Sequence, residues 1–124
     1  MQKIILIVDD NLACAEPLQI ALECIRGMEI QVAADAGAAL GIIAGAPDRI
    51  AAIITDLRMP FVSGLEFLNI LKADACLRNV PVFIISGDSD PLLPARAMSG
   101  GAAAFFTKPY SPFAVRKRLE QLLA

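Results

Sequence analysis

Histidine is absent from the 124 residues, which removes the side chain that most often serves as general base and metal ligand. The three cysteines, Cys14, Cys24 and Cys76, are odd in number and lack C-x-x-C spacing. They support neither a disulfide framework nor a zinc site, and they read as small buried apolar side chains. Long apolar runs are missing as well, although 56% of the chain is apolar. The longest, Ala36 to Ala46, is eleven residues interrupted by glycines and bounded by Asp35 and Pro47, too short to cross a bilayer. Met1-Gln2-Lys3 leads into a strand-like run without a cleavage site, so no secretory signal is read and a cytoplasmic protein without membrane insertion is expected. Basic clusters are scarce: Arg116-Lys117-Arg118 is the only run, it reads as a solvated helix face, and the pI is near 5.0. Direct nucleic-acid binding by this domain is therefore not expected.

The length suits one domain, residues 1–124, with a hydrophobic core of its own. Thirteen acids against eleven bases leave a net charge of −2. Setting aside Asp9, Asp10, Asp56 and Lys108 balances the remainder, so the surplus negative charge lies among those four residues.

Ile53-Ile54-Thr55-Asp56-Leu57-Arg58-Met59-Pro60 is the stretch around which the chain is organised. β-branched residues lead to an acid at a strand's carboxyl end, and Pro60 forbids further regular pairing. By itself Asp56 fits a turn initiator as well as a reactive group. Around it, Ile4 to Val8 reads as a strand covered on both faces, ending in Asp9-Asp10-Asn11. Asn11 caps a first helix with Cys14, Leu18, Ala21, Leu22 and Ile25 inward, and Pro17 predicts a kink or a late start in it. Glu29 to Ala33 alternates like an edge strand, Asp35 caps a short helix carrying Leu40 and Ile43, and Pro47-Asp48 ends it. Ala51 to Thr55 is the third strand. A third helix from Ser63-Gly64 carries Leu65, Leu68, Ile70 and Leu71 as its apolar stripe, and Val82 to Ser86 is the fourth strand. Asp90-Pro91 signals a fourth helix whose first turns Pro94 weakens, and Gly100-Gly101 stops it. Ala103 to Lys108 is the fifth strand, and Ser111-Pro112 caps a last helix with Val115, Leu119 and Leu122 inward. Five strands alternating with five helices predict an α/β, doubly wound, five-stranded parallel sheet.

Four of the five strands end in a reactive group: Asp9 and Asp10 after the first, Asp56 after the third, Ser86 after the fourth and Lys108 after the fifth. In strand order 2-1-3-4-5 the switch point lies between the first and third strands, and the three carboxylates converge there. Clustered carboxylates repel unless a cation joins them, and an all-oxygen donor set suits Mg2+, with Mn2+ as an alternative. A carboxylate nucleophile beside such an ion, a lysine and a hydroxyl is equipment for phosphoryl transfer.

Val8-Asp9-Asp10, Thr55-Asp56-Leu57-Arg58-Met59-Pro60 with Gly64, Ser86-Gly87, and Phe105-Phe106-Thr107-Lys108-Pro109 together resemble the receiver domain of two-component response regulators, from Ile4 to the last helix. The resemblance implies a flavodoxin-like fold and a phosphoacceptor signalling domain rather than an enzyme with its own substrate. It implies that Asp56 takes the phosphoryl group from a phosphohistidine on a histidine kinase or histidine phosphotransfer protein. Asp10, Asp56 and the Arg58 carbonyl would hold Mg2+ directly, Asp9 through a water, while Lys108 and Ser86 would bind phosphoryl oxygens. Phe105 stands at the switch position, where a phenylalanine lacks the hydroxyl that would hold it outside, so an inward ring is expected even without phosphate; an ordinary core aromatic is the other reading. The switch would alter the surface of the fourth helix, fifth strand and fifth helix, where a downstream effector would dock. The Lys108-Pro109 bond is a cis candidate. Leu12 and Ile20, off the core stripe, are candidate partner contacts, and Arg58 and Asp88 flank the pocket mouth, either tuning water access or forming an inert ion pair.

Two alternatives fit less of the chain. A Mg2+-dependent phosphatase or phosphotransferase of the haloacid-dehalogenase kind needs a second acid two residues beyond its nucleophile, and the residues there are Asn11 and Leu12. A nucleotide or flavin module needs a phosphate-cradling loop where Asp9-Asp10 stands, and no GxGxxG or P-loop pattern occurs.

Overall fold

Strands of near-continuous apolar residues need cover on both faces, and the computed structural model, which describes residues 2–123, provides it with five helices around one parallel sheet. The strands are β1 (Lys3–Val8), β2 (Met28–Ala33), β3 (Ile50–Asp56), β4 (Val82–Ser86) and β5 (Ala104–Thr107), in the order β2-β1-β3-β4-β5. The helices are α1 (Leu12–Leu22), α2 (Ala36–Gly45), α3 (Gly64–Ala73), α4 (Leu93–Ser99) and α5 (Pro112–Leu123), with a short 3₁₀ turn at Pro47–Arg49. No helix among the described residues is long and apolar enough to cross a membrane.

Alternate residues of each strand enter different cores. Ile4, Leu6 and Val8 of β1 join Val82 and Ile84 of β4 against α2, α3 and α4. Ile5 and Ile7 join Phe83 and Ile85 against Leu18 and Leu22 of α1 and Val115 and Leu119 of α5. A register shift between β1 and β3 lets Ile4 face Ile50 while Ile5 faces Ala52, which keeps Ile50 and Ile53 in the first core and Ala52 and Ile54 in the second.

Several helices differ from expectation in the face they bury. α1 begins at Leu12, so Pro17 causes no late start, and the helix continues through it. Its inward face is Ala15, Leu18 and Leu22, while Cys14 is exposed. Cys24 and Cys76 are exposed too, because both stand in the turns that follow a helix, so none of the three is a core residue. In α3 the large buried side chain is Phe67, beside Leu68 and Leu71, and Ile70 is on the exposed side. Leu122 of α5 is likewise exposed, one position off the stripe of Val115 and Leu119. α4 starts at Leu93, which places Pro94 in the first turn, where no intrahelical N–H bond is lost.

Caps set the helix starts. Asn11 accepts from the Ala13 and Cys14 amides, Asp35 from Ala38 at 2.8 Å, and Ser63 from Glu66 at 3.2 Å. Replacing Asp35 by alanine leaves the Ala38 amide without that acceptor, and chemical denaturation should register a loss of about 1 kcal/mol. A variant as stable as the parent would show that the cap contributes nothing to folding.

Candidate functional site

The sheet's strand order puts the carboxyl ends of β1 and β3 side by side, and that is where the polar residues buried against an otherwise apolar core are found. Asp9, Thr55, Asp56 and Ser86 are the buried polar side chains of the described residues, all at or next to strand ends. Asp9, Asp10 and Asp56 each present a carboxylate oxygen, and these oxygens lie within 4.8 Å of one another. Such a trio holds three negative charges in little space, and its donors are all hard oxygens, a set that fits a divalent cation such as Mg2+.

Each acid is fixed differently. Asp9 Oδ1 accepts the Asn11 amide at 2.9 Å. Burial pushes the Asp9 carboxyl above its ordinary pKa, aided by the charges of Asp56 and Asp10 and opposed by the Asn11 hydrogen bond and by Lys108. Asp10 is exposed. Asp56 has one oxygen, Oδ2, on Lys108 Nζ at 2.9 Å, and the other, Oδ1, 3.4 Å from the Arg58 amide. Burial disfavours the Lys108 ammonium, but its hydrogen bond to Asp56 and the charges of Asp56 and Asp9 outweigh this and raise its pKa. It therefore stays charged at neutral pH.

Backbone contacts hold these groups in place. The Leu57 amide donates to the Ile85 carbonyl at 2.8 Å, the Gly64 amide to the Leu57 carbonyl at 2.7 Å, and the Lys108 amide to the Ser86 carbonyl at 2.8 Å. The buried Thr55 hydroxyl is 3.0 Å from the Asp56 carbonyl and 3.4 Å from Met59 Sδ. Ser86 Oγ accepts the Asp88 amide at 2.9 Å, which leaves the hydroxyl proton for another acceptor. The peptide bond from Lys108 to Pro109 is cis.

A cleft of about 430 Å³ opens over Asp56, lined also by Arg58, Gly87, Asp88 and Lys108. Arg58 and Asp88 form an ion pair there. Phe105, on β5, is partly buried and packs against the core that contains Leu93 and Ala97 of α4. Leu12 and Ile20 are exposed on α1, 67% and 59% respectively.

Three neighbours of the site were not expected from the sequence. Cys14 and Tyr110 line a second cleft that shares Gly87 and Lys108 with the first. Burial raises the Tyr110 phenol's pKa, and the Asp9 charge adds to this against the opposing effect of Lys108. Phe61 takes φ +70° with the Val62 amide on the Pro60 carbonyl at 2.8 Å, a γ-turn of the rarer hand, and the residue is 95% exposed. No propensity signal marks a phenylalanine for that conformation.

Comparison with known proteins supplies a family. The family model described as the response regulator receiver domain matches residues 5–120. The chain is 36% identical over 109 residues to the transcriptional regulatory protein FixJ of Azorhizobium caulinodans, covering 88% of this chain and 49% of FixJ. It is 31% identical over 122 residues to the phosphate regulon transcriptional regulatory protein PhoB of Pseudomonas aeruginosa, covering 98% and 52%. It thus spans about half the length of these relatives. Among solved structures, a response regulator receiver domain protein from Clostridium thermocellum superposes with a TM-score of 0.86 at 26% identity, covering 98% of this chain and 94% of that one.

Proposed function

The chain belongs to the response regulator receiver domain family of two-component systems, and from that premise we propose that Asp56 is its phosphoryl acceptor. The observation that carries this reading is the convergence on Asp56 of a lysine ammonium at 2.9 Å and two further carboxylates within 4.8 Å. A carboxylate oxygen of Asp56 attacks the phosphorus of a phosphohistidine borne by a histidine kinase or phosphotransfer protein. The P–N bond breaks, the imidazole leaves with a proton taken from solvent, and an acyl phosphate forms. No histidine base is required, because the nucleophile is already a carboxylate.

Asp9, Asp10, Asp56 and the Arg58 carbonyl are the groups that would hold Mg2+, which when bound neutralises charge developing on the equatorial oxygens. Lys108, fixed as an ammonium, receives one phosphoryl oxygen, and the Ser86 hydroxyl donates to another. Drawing Ser86 inward moves the Gly87-Asp88 segment, while Phe105 already packs against the core that holds Leu93 and Ala97 of α4. The surface of α4, β5 and α5 thereby changes for a downstream effector.

Incubation with a small-molecule phosphodonor and Mg2+ should add the mass of one phosphoryl group, stable in acid and labile in base, and chelation of the metal should suppress it. A chain that gains no mass under these conditions, or gains it equally after chelation, would overturn the proposal.

A further inference from the structure

The cleft above Asp56 has a second cation at its mouth. Arg58 comes from the segment after β3 and Asp88 from the segment before α4, and their ion pair joins the two across the opening. Arg58 follows Asp56 by two residues, and its amide already faces Asp56 Oδ1 at 3.4 Å. Its side chain is 79% exposed, whereas that of Asp88 is only 24% exposed.

We propose, resting on the reading of Asp56 as acceptor, that the Arg58 guanidinium is an additional phosphoryl-binding group, held by Asp88 in the unmodified protein and transferred to the phosphoryl oxygens once Asp56 is modified. Charge decides the direction of the exchange. Asp88 offers a single negative charge, while a phosphoryl group offers up to two, spread over three strong acceptor oxygens. The planar guanidinium fork matches such oxygens bidentately, which an ammonium does not. The present partner is weakly held, because an ion pair so exposed on the arginine side gains little in water.

The exchange also reaches the loop before α4. The Asp88 amide is the group bonded to Ser86 Oγ, and Asp88 Oδ1 accepts the Asp90 amide at 2.9 Å. The Asp88 carboxylate thus accepts from the Asp90 amide and from the Arg58 guanidinium together. Losing Arg58 leaves that carboxylate tied only to its own loop. A segment restrained from two sides in the unmodified state is then restrained from one.

Titration with fluoroberyllate in Mg2+, followed by amide NMR shifts, tests this without phosphodonor chemistry. Arg58→Gln should weaken binding by about two- to fivefold, and Asp88→Asn, which keeps an oxygen for the Asp90 amide but removes the competing charge, should tighten it by a similar factor. In the Arg58→Gln background, Asp88→Asn should change nothing, since no guanidinium remains to be released. An unchanged or weakened affinity in Asp88→Asn, or an equal gain in both backgrounds, would overturn the assignment of Arg58 alone. Absence of fluoroberyllate binding to the parent protein would instead overturn the acceptor reading itself.

Discussion

Replacing Asp56 by asparagine is expected to reduce phosphoryl uptake from a small-molecule donor by roughly a hundredfold or more, to background in an intact-mass measurement. The substitution conserves shape and still offers an oxygen to the Lys108 ammonium, now 2.9 Å from Asp56 Oδ2. What it removes is the negative charge on the attacking atom, and a neutral amide oxygen is a far poorer nucleophile than a carboxylate. The fold should survive, because one member of a crowded acidic trio has been neutralised. Asp9 makes the result diagnostic, since it is the other buried carboxylate at the site. It is tied to the Asn11 amide, and among the described residues no ammonium lies at hydrogen-bond distance from it. If Asp56→Asn gained the phosphoryl group as well as the parent, the acceptor would have to be Asp9 or Asp10, and the roles given to Lys108 and Ser86 would fall.

The placement of these groups at strand ends was legible because sequence order constrains a parallel sheet so tightly. Runs such as Ile4 to Val8 and Val82 to Ile85 can only be buried strands, right-handed crossovers leave few arrangements, and in order 2-1-3-4-5 the residues following β1 and β3 must adjoin. Helix faces were harder to read. In α3 a stripe through Leu65, Leu68, Ile70 and Leu71 overlooks Phe67, because apolar residues on neighbouring positions fit more than one 3.6-residue register and only the packing into the shared core selects among them. The cysteines misled for a related reason: the general burial of free thiols says nothing of a residue one position off the inward face, as Cys14 is beside Ala15. Proline signals depended on a boundary that the sequence does not define. Pro94 weakens a helix that starts at Pro91 but is harmless in one that starts at Leu93. The register shift opposite Ile4 and Ile5 left no trace, since every residue around it is apolar.

Gly64→Ala should be the most damaging change of a single methyl group. A Cβ at Gly64 would stand 2.6 Å from the Asp56 carbonyl oxygen and 2.8 Å from Leu57 Cα, both backbone atoms with no rotamer to relieve the clash. Either α3 moves off the sheet, loosening Phe67, Leu68 and Leu71, or the end of β3 moves and carries Asp56 with it. Overpacking of this kind costs about 1–3 kcal/mol, and the upper end applies where only backbone can yield, so thermal unfolding should shift down by roughly 10 °C. Phosphoryl uptake should fall further than stability alone explains, by roughly ten- to a hundredfold at a temperature where the variant is folded, since about an ångström of misplacement suffices for such losses. Gly41→Ala provides the contrast. Its Cβ would meet nothing within 4 Å, it lies inside α2, and relief of backbone entropy should stabilise the protein by about 0.5–1 kcal/mol without touching uptake. If Gly64→Ala melted within a degree or so of the parent and accepted phosphate normally, the close approach of α3 to the Asp56 carbonyl would not be what positions the acceptor.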